Sequence, residues 1–277
     1  MNHALSTHII AEHRLTMVWL ERIWQAGIPA VEIFCAKQHL DWTDQAQIGE
    51  LGHFFRDTGL KVHSLHSPLY TDDVWGRSGP HSVITITELE KPKRVQAVDQ
   101  IKRAIEFAET IPFRYLIQHI GVAGEEYDDR KVEAAFTALE ELSTFARNRG
   151  VEVLLENIPN ALSSAERLTA FLDETHLDLG FCFDTGHAHL KEGVEAAFAL
   201  MKDRIRSTHV HDNDGATDRH LFPFFAPGGA IDWEKTMSLF RPCGDRFPLL
   251  LELKQAAEFP HPLETVTQIF QKLESAA

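Results

Sequence analysis

The chain has 277 residues and a formal net charge of −14, with 44% hydrophobic and 25% charged residues. At about 150 residues per domain, that length allows one large domain or two small ones. The composition supports a sizeable core, which excludes a disordered chain and a disulfide-stapled miniprotein. The acidic balance argues against a broad nucleic-acid footprint, which needs clustered Lys and Arg. Cys35, Cys182 and Cys243 are widely spaced and form no C-x-x-C pair, so a reducing, cytoplasmic setting is expected. No apolar run reaches the roughly 18 residues of a membrane span, and Met1 to His13 carry no signal-peptide pattern.

Short β-type runs alternate with helical stretches along the whole chain. Ser6 to Ile10 is the first expected strand, followed by a helix from Thr16 to Ala26 that stops at Gly27. Val31 to Cys35 is the second strand. Its helix starts at Thr43, a candidate N-cap, and ends at Gly59. Lys61 to His66 is the third strand, broken by Pro68, and a helix is expected from Glu88 to Thr110. Tyr115 to His119 is the fourth. The helix from Asp128 to Asn148 is marked by Val132, Phe136, Leu139, Leu142 and Phe145 at helical spacing. Val151 to Glu156, Gly180 to Asp184, Ile205 to His211 and Pro248 to Leu253 complete the strands. Helices over Ser163 to Asp173, Val194 to Lys202, Asp232 to Phe240 and Pro262 to Glu274 complete the alternation.

Strict alternation predicts parallel strands joined by helical crossovers. Runs such as Val151 to Leu155 and Leu249 to Leu251 suit strands covered on both faces. Eight such units in roughly 250 residues predict a single (β/α)8 TIM barrel. A doubly wound open sheet is the rival. No G-x-G-x-x-G or G-x-x-x-x-G-K-[ST] loop follows any strand, so nucleotide binding of those kinds has no support.

The C-terminal strand ends of such a barrel carry its chemistry. Here they are polar and of one kind: His66, His119, Glu156, Asp184, His209 with His211, and Glu252. A lone His at a strand end is more often a hydrogen-bonded structural residue than a ligand, and a lone Glu or Asp often caps a helix or pairs with an Arg. The repetition along one rim is what points to a shared site, because buried acids and imidazoles are costly unless paired or metal-bound. In His209-Val210-His211 both imidazoles can face one side of a strand. Asp184-Thr185-Gly186-His187 leaves its strand through a glycine, which can turn Asp184 and His187 toward one point. Asp218 and His220, in the loop after the seventh strand, are either further ligands or part of a solvated acidic loop. Phe222, Phe224 and Phe225, and the segment Tyr70 to Arg77 with Trp75, are either lids or buried loop bases.

These pieces resemble the sugar phosphate isomerase/epimerase superfamily, the xylose-isomerase-like TIM barrels that also include endonuclease IV. The resemblance lies in His66-Ser67-Pro68, Leu155-Glu156-Asn157, Phe183-Asp184-Thr185-Gly186-His187 and His209-Val210-His211-Asp212-Asn213. It continues in Pro227-Gly228-Gly229-Ala230-Ile231-Asp232-Trp233 and Leu251-Glu252. It implies one divalent metal, Mn²⁺, Mg²⁺, Co²⁺ or Zn²⁺, held by Glu156, Asp184, His211 and Glu252. It also implies that Glu156 and Glu252 transfer protons through a metal-stabilised enediolate and that His187 contacts substrate. His66, Asn157 and Lys254 are further candidates for substrate contact. The substrate-contacting Arg that the epimerases carry six residues beyond the ligand His is Thr217 here. Asp218 and His220 resemble instead two zinc ligands of endonuclease IV. With His66, His119, Glu156, Asp184, His187, His211 and Glu252 they match that enzyme's trinuclear set, which implies two or three Zn²⁺.

The expected activity is a metal-dependent isomerase or epimerase of a sugar, sugar phosphate or keto-polyol. The alternatives are a keto-polyol dehydratase and a multi-zinc phosphodiesterase. The net charge of −14 and the scattering of Arg77, Arg219 and Lys254 weigh against the phosphodiesterase, since DNA binding needs phosphate-neutralising cations. A non-catalytic sugar or metal sensor is the third reading, disfavoured by a full ligand set with both candidate bases. The expected partner is therefore a small sugar-like molecule rather than nucleic acid or membrane.

Overall fold

The computed structural model describes residues 1–74, 79 and 81–276; Trp75 and Arg77 lie outside the described residues. Its strands are β1 (His3–Ser6), β2 (Ala30–Phe34), β3 (Lys61–His66), β4 (Tyr115–Gln118), β5 (Glu152–Glu156), β6 (Gly180–Asp184), β7 (Ile205–His209) and β8 (Leu249–Leu251). They form one sheet in the order β7-β6-β5-β4-β3-β2-β1-β8, and every neighbouring pair is parallel. The two ends of the sheet meet at Val210 and Leu251. Val210 N–H donates to Leu250 O at 2.8 Å and Glu252 N–H donates to Val210 O at 3.2 Å. This is a (β/α)8 barrel closed by a very short seam.

The helices are α1 (Met17–Gln25), α2 (Gln45–Thr58), α3 (Lys91–Ile105), α4 (Asp129–Arg147), α5 (Ala165–Glu174), α6 (Thr185–Leu190), α7 (Val194–Met201), α8 (Trp233–Phe240) and α9 (Pro262–Ser275). Side-chain caps set several of the starts. Asp44 accepts from Ala46 N and Gln47 N, Asp128 from Arg130 N, Ser164 from Arg167 N and Asp232 from Lys235 N. The cap of α2 is thus Asp44 rather than the expected Thr43, because its carboxylate reaches two orphan N–H groups at once. Gly59 ends α2 at φ 73°, a left-handed conformation that glycine adopts without strain.

Two other expectations shift. Ser6 to Ile10 is not a strand: β1 ends at Ser6, whose hydroxyl accepts from His8 N, and Thr7–Ile10 turn into a 3-10 helix. The short helix α6 follows β6 directly and was not anticipated, since its six residues are too few to show a periodicity.

Successive strand residues face opposite sides of the sheet. Val153 and Leu155 join the large core under the helices, whereas Leu154 packs with Tyr115, Ile117 and Cys182 in a separate small cluster. That small cluster lies on the other face of the strands from the helices. Two residues further along the same strands come His119, Glu156 and Asp184. The alternation that turns these apolar side chains away from the helices therefore delivers acids and imidazoles to the C-terminal mouth.

Candidate functional site

Glu156 is almost completely buried and engaged on both oxygens. His119 Nε2 lies 2.9 Å and His66 Nε2 3.6 Å from Oε2, while His209 Nδ1 lies 2.9 Å and His187 Nδ1 3.4 Å from Oε1. Asp184 does two things. Its Oδ1 accepts from His187 N at 2.6 Å, capping α6, and its Oδ2 faces His211 Nε2 at 3.0 Å. Asp184 thus caps α6 with one oxygen and faces His211 with the other. Glu252, also buried, has looser partners among the described residues, His209 Nδ1 at 3.3 Å and His220 Nδ1 at 3.5 Å. Asp218 reaches in from the loop after β7, 3.1 Å from His187 Nε2 and 3.4 Å from His220 Nε2.

Among the described residues these side chains form three groups whose ligand atoms lie within 4.8 Å of one another: His66 with His119 and Glu156; Glu156 with Asp184, His209 and Glu252; and His187 with His211, Asp218 and His220. Glu156 belongs to two of them. The structure brings together Glu156, Asp184 and Glu252 as the sequence suggested, but the imidazole grouped with them is His209. His211 touches Asp184 from the neighbouring group.

The orientation of the rings suits metal binding. His66 Nδ1 faces Ser67 O at 2.9 Å, His187 Nδ1 faces Asn157 O at 2.9 Å, His211 Nδ1 faces Asp212 O at 3.4 Å and His220 Nδ1 faces Glu252 O at 3.1 Å. A carbonyl only accepts, so each of these nitrogens carries the hydrogen. Each Nε2 is then turned to the acids, the arrangement by which outer partners fix a ligating histidine.

Charge follows the geometry. Burial opposes ionisation of Glu156, yet His209 and His119 outweigh it and hold the carboxyl well below its usual range. For His209, burial is outweighed by Cys182, Glu156, Glu252 and Glu32, which raise it well above an ordinary imidazole. Burial likewise opposes charge on His220, but the Asp218 hydrogen bond and the Glu252 and Asp218 charges raise it to about 9. His119 moves the other way because burial dominates.

A cleft of about 170 Å³ opens over the cluster, lined by Glu156, Glu252, His66, His119, His187 and His220, with apolar walls from Phe34, Leu69, Ile158 and Pro159. No Lys or Arg lines it among the described residues. Lys254 lies instead on an adjoining cavity of about 290 Å³, with Arg219, Phe222 and Phe259, which meets the cleft at Asp218 and His220. The side chain of Asn157 is committed elsewhere: its amide donates to Asp184 O and accepts from Asp184 N, both at 2.9 Å. It fixes the strand end that carries Asp184. Phe222 is buried and stacked on Phe259 with ring centroids 4.2 Å apart, a loop base rather than a lid, whereas Phe224 is exposed. Tyr70 lines the cleft.

Sequence reasoning left out Glu32, which sits on β2 with both carboxylate oxygens 3.1 Å from His209 Nε2. It also left unexplained why Pro227 to Trp233 forms a motif. Asp212 supplies the reason: its Oδ1 accepts from Asn213 N, Ala230 N and Ile231 N, and its Oδ2 accepts from Trp233 Nε1 at 2.7 Å.

A parallel barrel with buried acids and imidazoles crowded at its C-terminal mouth is a scaffold of the TIM-barrel class whose mouth carries side chains of the types that can hold a metal ion. The sequence matches the xylose isomerase-like TIM barrel family over residues 20–273, and the chain belongs to that family. The inosose dehydratase of Erwinia tasmaniensis is 26% identical over 157 residues, which span 50% of this chain and 53% of that protein. A D-tagatose 3-epimerase-like protein superposes with a TM-score of 0.78 at 20% identity, covering 99% of both chains. The IolI protein, solved with a bound zinc atom, superposes with a TM-score of 0.76 at 17% identity, covering 99% of this chain and 98% of that one. At these identities the two superpositions establish the fold alone. No helix among the described residues is long and apolar enough to cross a membrane.

Proposed function

We propose that the chain is a divalent-metal-dependent isomerase or epimerase of a sugar or keto-polyol. The observation that carries this reading is the pairing of Glu156 and Glu252 on one small cleft, which no Lys or Arg lines among the described residues. The cleft of about 170 Å³ and the adjoining cavity of about 290 Å³ that meets it at Asp218 and His220 together have the scale of a small-molecule pocket.

Glu156, Asp184 and Glu252, with His209 or His211, would hold the cation, a carboxylate and imidazole set that suits a divalent metal; the IolI protein, similar in fold, was solved with a bound zinc atom. A bound divalent cation supplies Lewis-acid polarisation of a substrate carbonyl. The protein does the rest. Glu156 is held on both oxygens, whereas Glu252 has two looser imidazole partners among the described residues. Glu252 is thus the carboxylate freer to turn and remove a carbon-bound proton; Glu156, ionised as it stands, would return one to the opposite face only after taking it from an imidazole beside it, His209 or His119. His187, its Nδ1 held by Asn157 O, would offer Nε2 to a substrate hydroxyl in exchange for Asp218, which lies 3.1 Å from it. A dehydratase of a keto-polyol needs the same first proton abstraction and differs only in what leaves.

The second reading, a multi-zinc phosphodiesterase, is favoured by one observation: the ligands fall into three groups rather than one. Two measurements separate them. Elemental analysis after gentle isolation gives the number of metals. Incubation of the Mn²⁺- or Co²⁺-loaded protein with ketohexoses and inososes in D₂O gives solvent exchange next to the carbonyl. One metal per chain with exchange that Glu252→Gln abolishes, the fold being kept, supports the isomerase. Near-normal exchange in Glu252→Gln sinks the acid–base assignment. Two or three zinc ions, no exchange on any sugar and cleavage of abasic DNA replace the reading by the second.

A further inference from the structure

Glu32 is a carboxylate with no access to solvent, turned from β2 toward His209 on β7. An isolated acid there is costly, so its partners say what it is for. It has two. Ser64 Oγ donates to Oε2 at 2.7 Å, and His209 Nε2 lies 3.1 Å from each oxygen. An imidazole has only two nitrogens. With Nε2 committed to Glu32, the ring must present Nδ1 to the other side, where it meets Glu156 Oε1 at 2.9 Å, Glu252 Oε2 at 3.3 Å and Asp184 Oδ2 at 3.9 Å. The contacts run in one line: Ser64 to Glu32, Glu32 to His209, and His209 to all three carboxylates of the central group. Ser64 is level with Glu32 in the register of β2 and β3, so adjacent strands set that line.

We propose that Glu32 is a positioning residue for the metal-ligand carboxylates, acting through His209. It touches neither cleft nor substrate. Its work is to prevent the His209 ring from turning over, which would put carbon where Nδ1 now meets Glu156 and Glu252. The inference rests on the reading that Glu156, Asp184 and Glu252 hold a divalent cation.

The test uses Co²⁺ as probe, titrated into the full-length chain and into Glu32→Gln, with affinity from chelator competition and the visible d–d band recorded for each. Glu32→Gln is expected to bind Co²⁺ about 10- to 100-fold more weakly, the usual range for a lost outer partner. Its absorption band should also change, with the far-UV circular dichroism unaltered. Ser64→Ala, which removes one anchor of Glu32 and keeps its charge, is expected to move both readouts in the same direction by less. A purely structural ion pair would lower the melting temperature and leave Co²⁺ affinity and band as in wild type; that result overturns the proposal. If Glu32→Gln does not fold, Ser64→Ala decides, and a wild-type affinity and band in it overturn the proposal equally. A wild-type chain that takes up no Co²⁺ defeats the functional reading and this inference together. Wild-type uptake beside unaltered variants defeats the inference alone.

Discussion

A Cβ placed on Gly186 would lie 2.0 Å from Cε1 of His211 and 2.4 Å from its Nδ1. The missing side chain of the one residue is the space filled by the ring of the other. Gly186→Ala therefore displaces His211 from Asp184. Overpacking of this kind costs about 1–3 kcal/mol, to be read from urea unfolding. The variant should also lose metal, measured by elemental analysis. Wild-type stability and metal content in the variant would show that the ring has room to move.

Asp212 gathers the loop after β7. Asp212→Asn keeps the shape but sets an NH₂ group against N–H donors from Ala230, Ile231 or Trp233. The expected loss is about 2–3 kcal/mol, the scale of a charged buried acceptor, with a shift in Trp233 emission as its indole N–H loses its partner. An unchanged emission spectrum would contradict this anchoring role.

His39 is fully buried. Its Nδ1 faces His13 O at 2.5 Å, and its Nε2 faces Thr7 Oγ1 at 3.0 Å, a hydroxyl that itself accepts from Phe34 N. Burial lowers it from 6.5 to about 4. Burial lowers His63 to about 4 as well. Both are neutral in the folded chain, and the unfolded chain takes up their protons first. Their contribution is thus complete above pH 6.5 and is lost as the pH falls toward 4. For His39 it reaches about 3 kcal/mol at most, at 1.36 kcal/mol per pH unit. Urea midpoints at pH 7 and 5 should differ by less in His39→Gln than in wild type. An equal difference in the two proteins would assign the acid sensitivity elsewhere.

Binding to the folded chain alone must stabilise it. At a hundredfold excess of metal over its Kd the gain is about 2.7 kcal/mol. Exhaustive chelation should lower the melting temperature by several degrees, and readdition of Mn²⁺, Co²⁺ or Zn²⁺ should restore it in a concentration-dependent way. A melting temperature indifferent to all three would argue against a resident cation.

What the sequence disclosed and what it hid follow from the range of the signal. β3 and β6 coincide with the residues expected for them: Gly59 closes the helix before β3, and β6 ends at Asp184, the cap of α6. The barrel followed from alternation, a property of the whole chain. β1 was displaced because Ile9 and Ile10 extend the apolar run, and it is the pairing of His3 to Ser6 with β8 and β2 that reveals where the strand lies. In the site, residues at strand ends announced themselves by type. Glu32 did not, because a single acid in Ala-Val-Glu-Ile-Phe has no local meaning until the sheet closes and His209 stands opposite it. Which of His209 and His211 joins the acids is likewise a matter of where β7 ends, not of spacing.

The seam between β7 and β8 holds the last consequence. Val210 and Leu251 make the one strand-to-strand bridge there, and they are flanked by His209, His211 and Glu252. A cation shared by Glu252 and either imidazole would act as a rivet across the joint where the cylinder is thinnest. Holding the ring shut and doing chemistry would then fall to the same atoms. The amides of Val210 and Glu252, which bond across that joint, should exchange with solvent more slowly once metal is present.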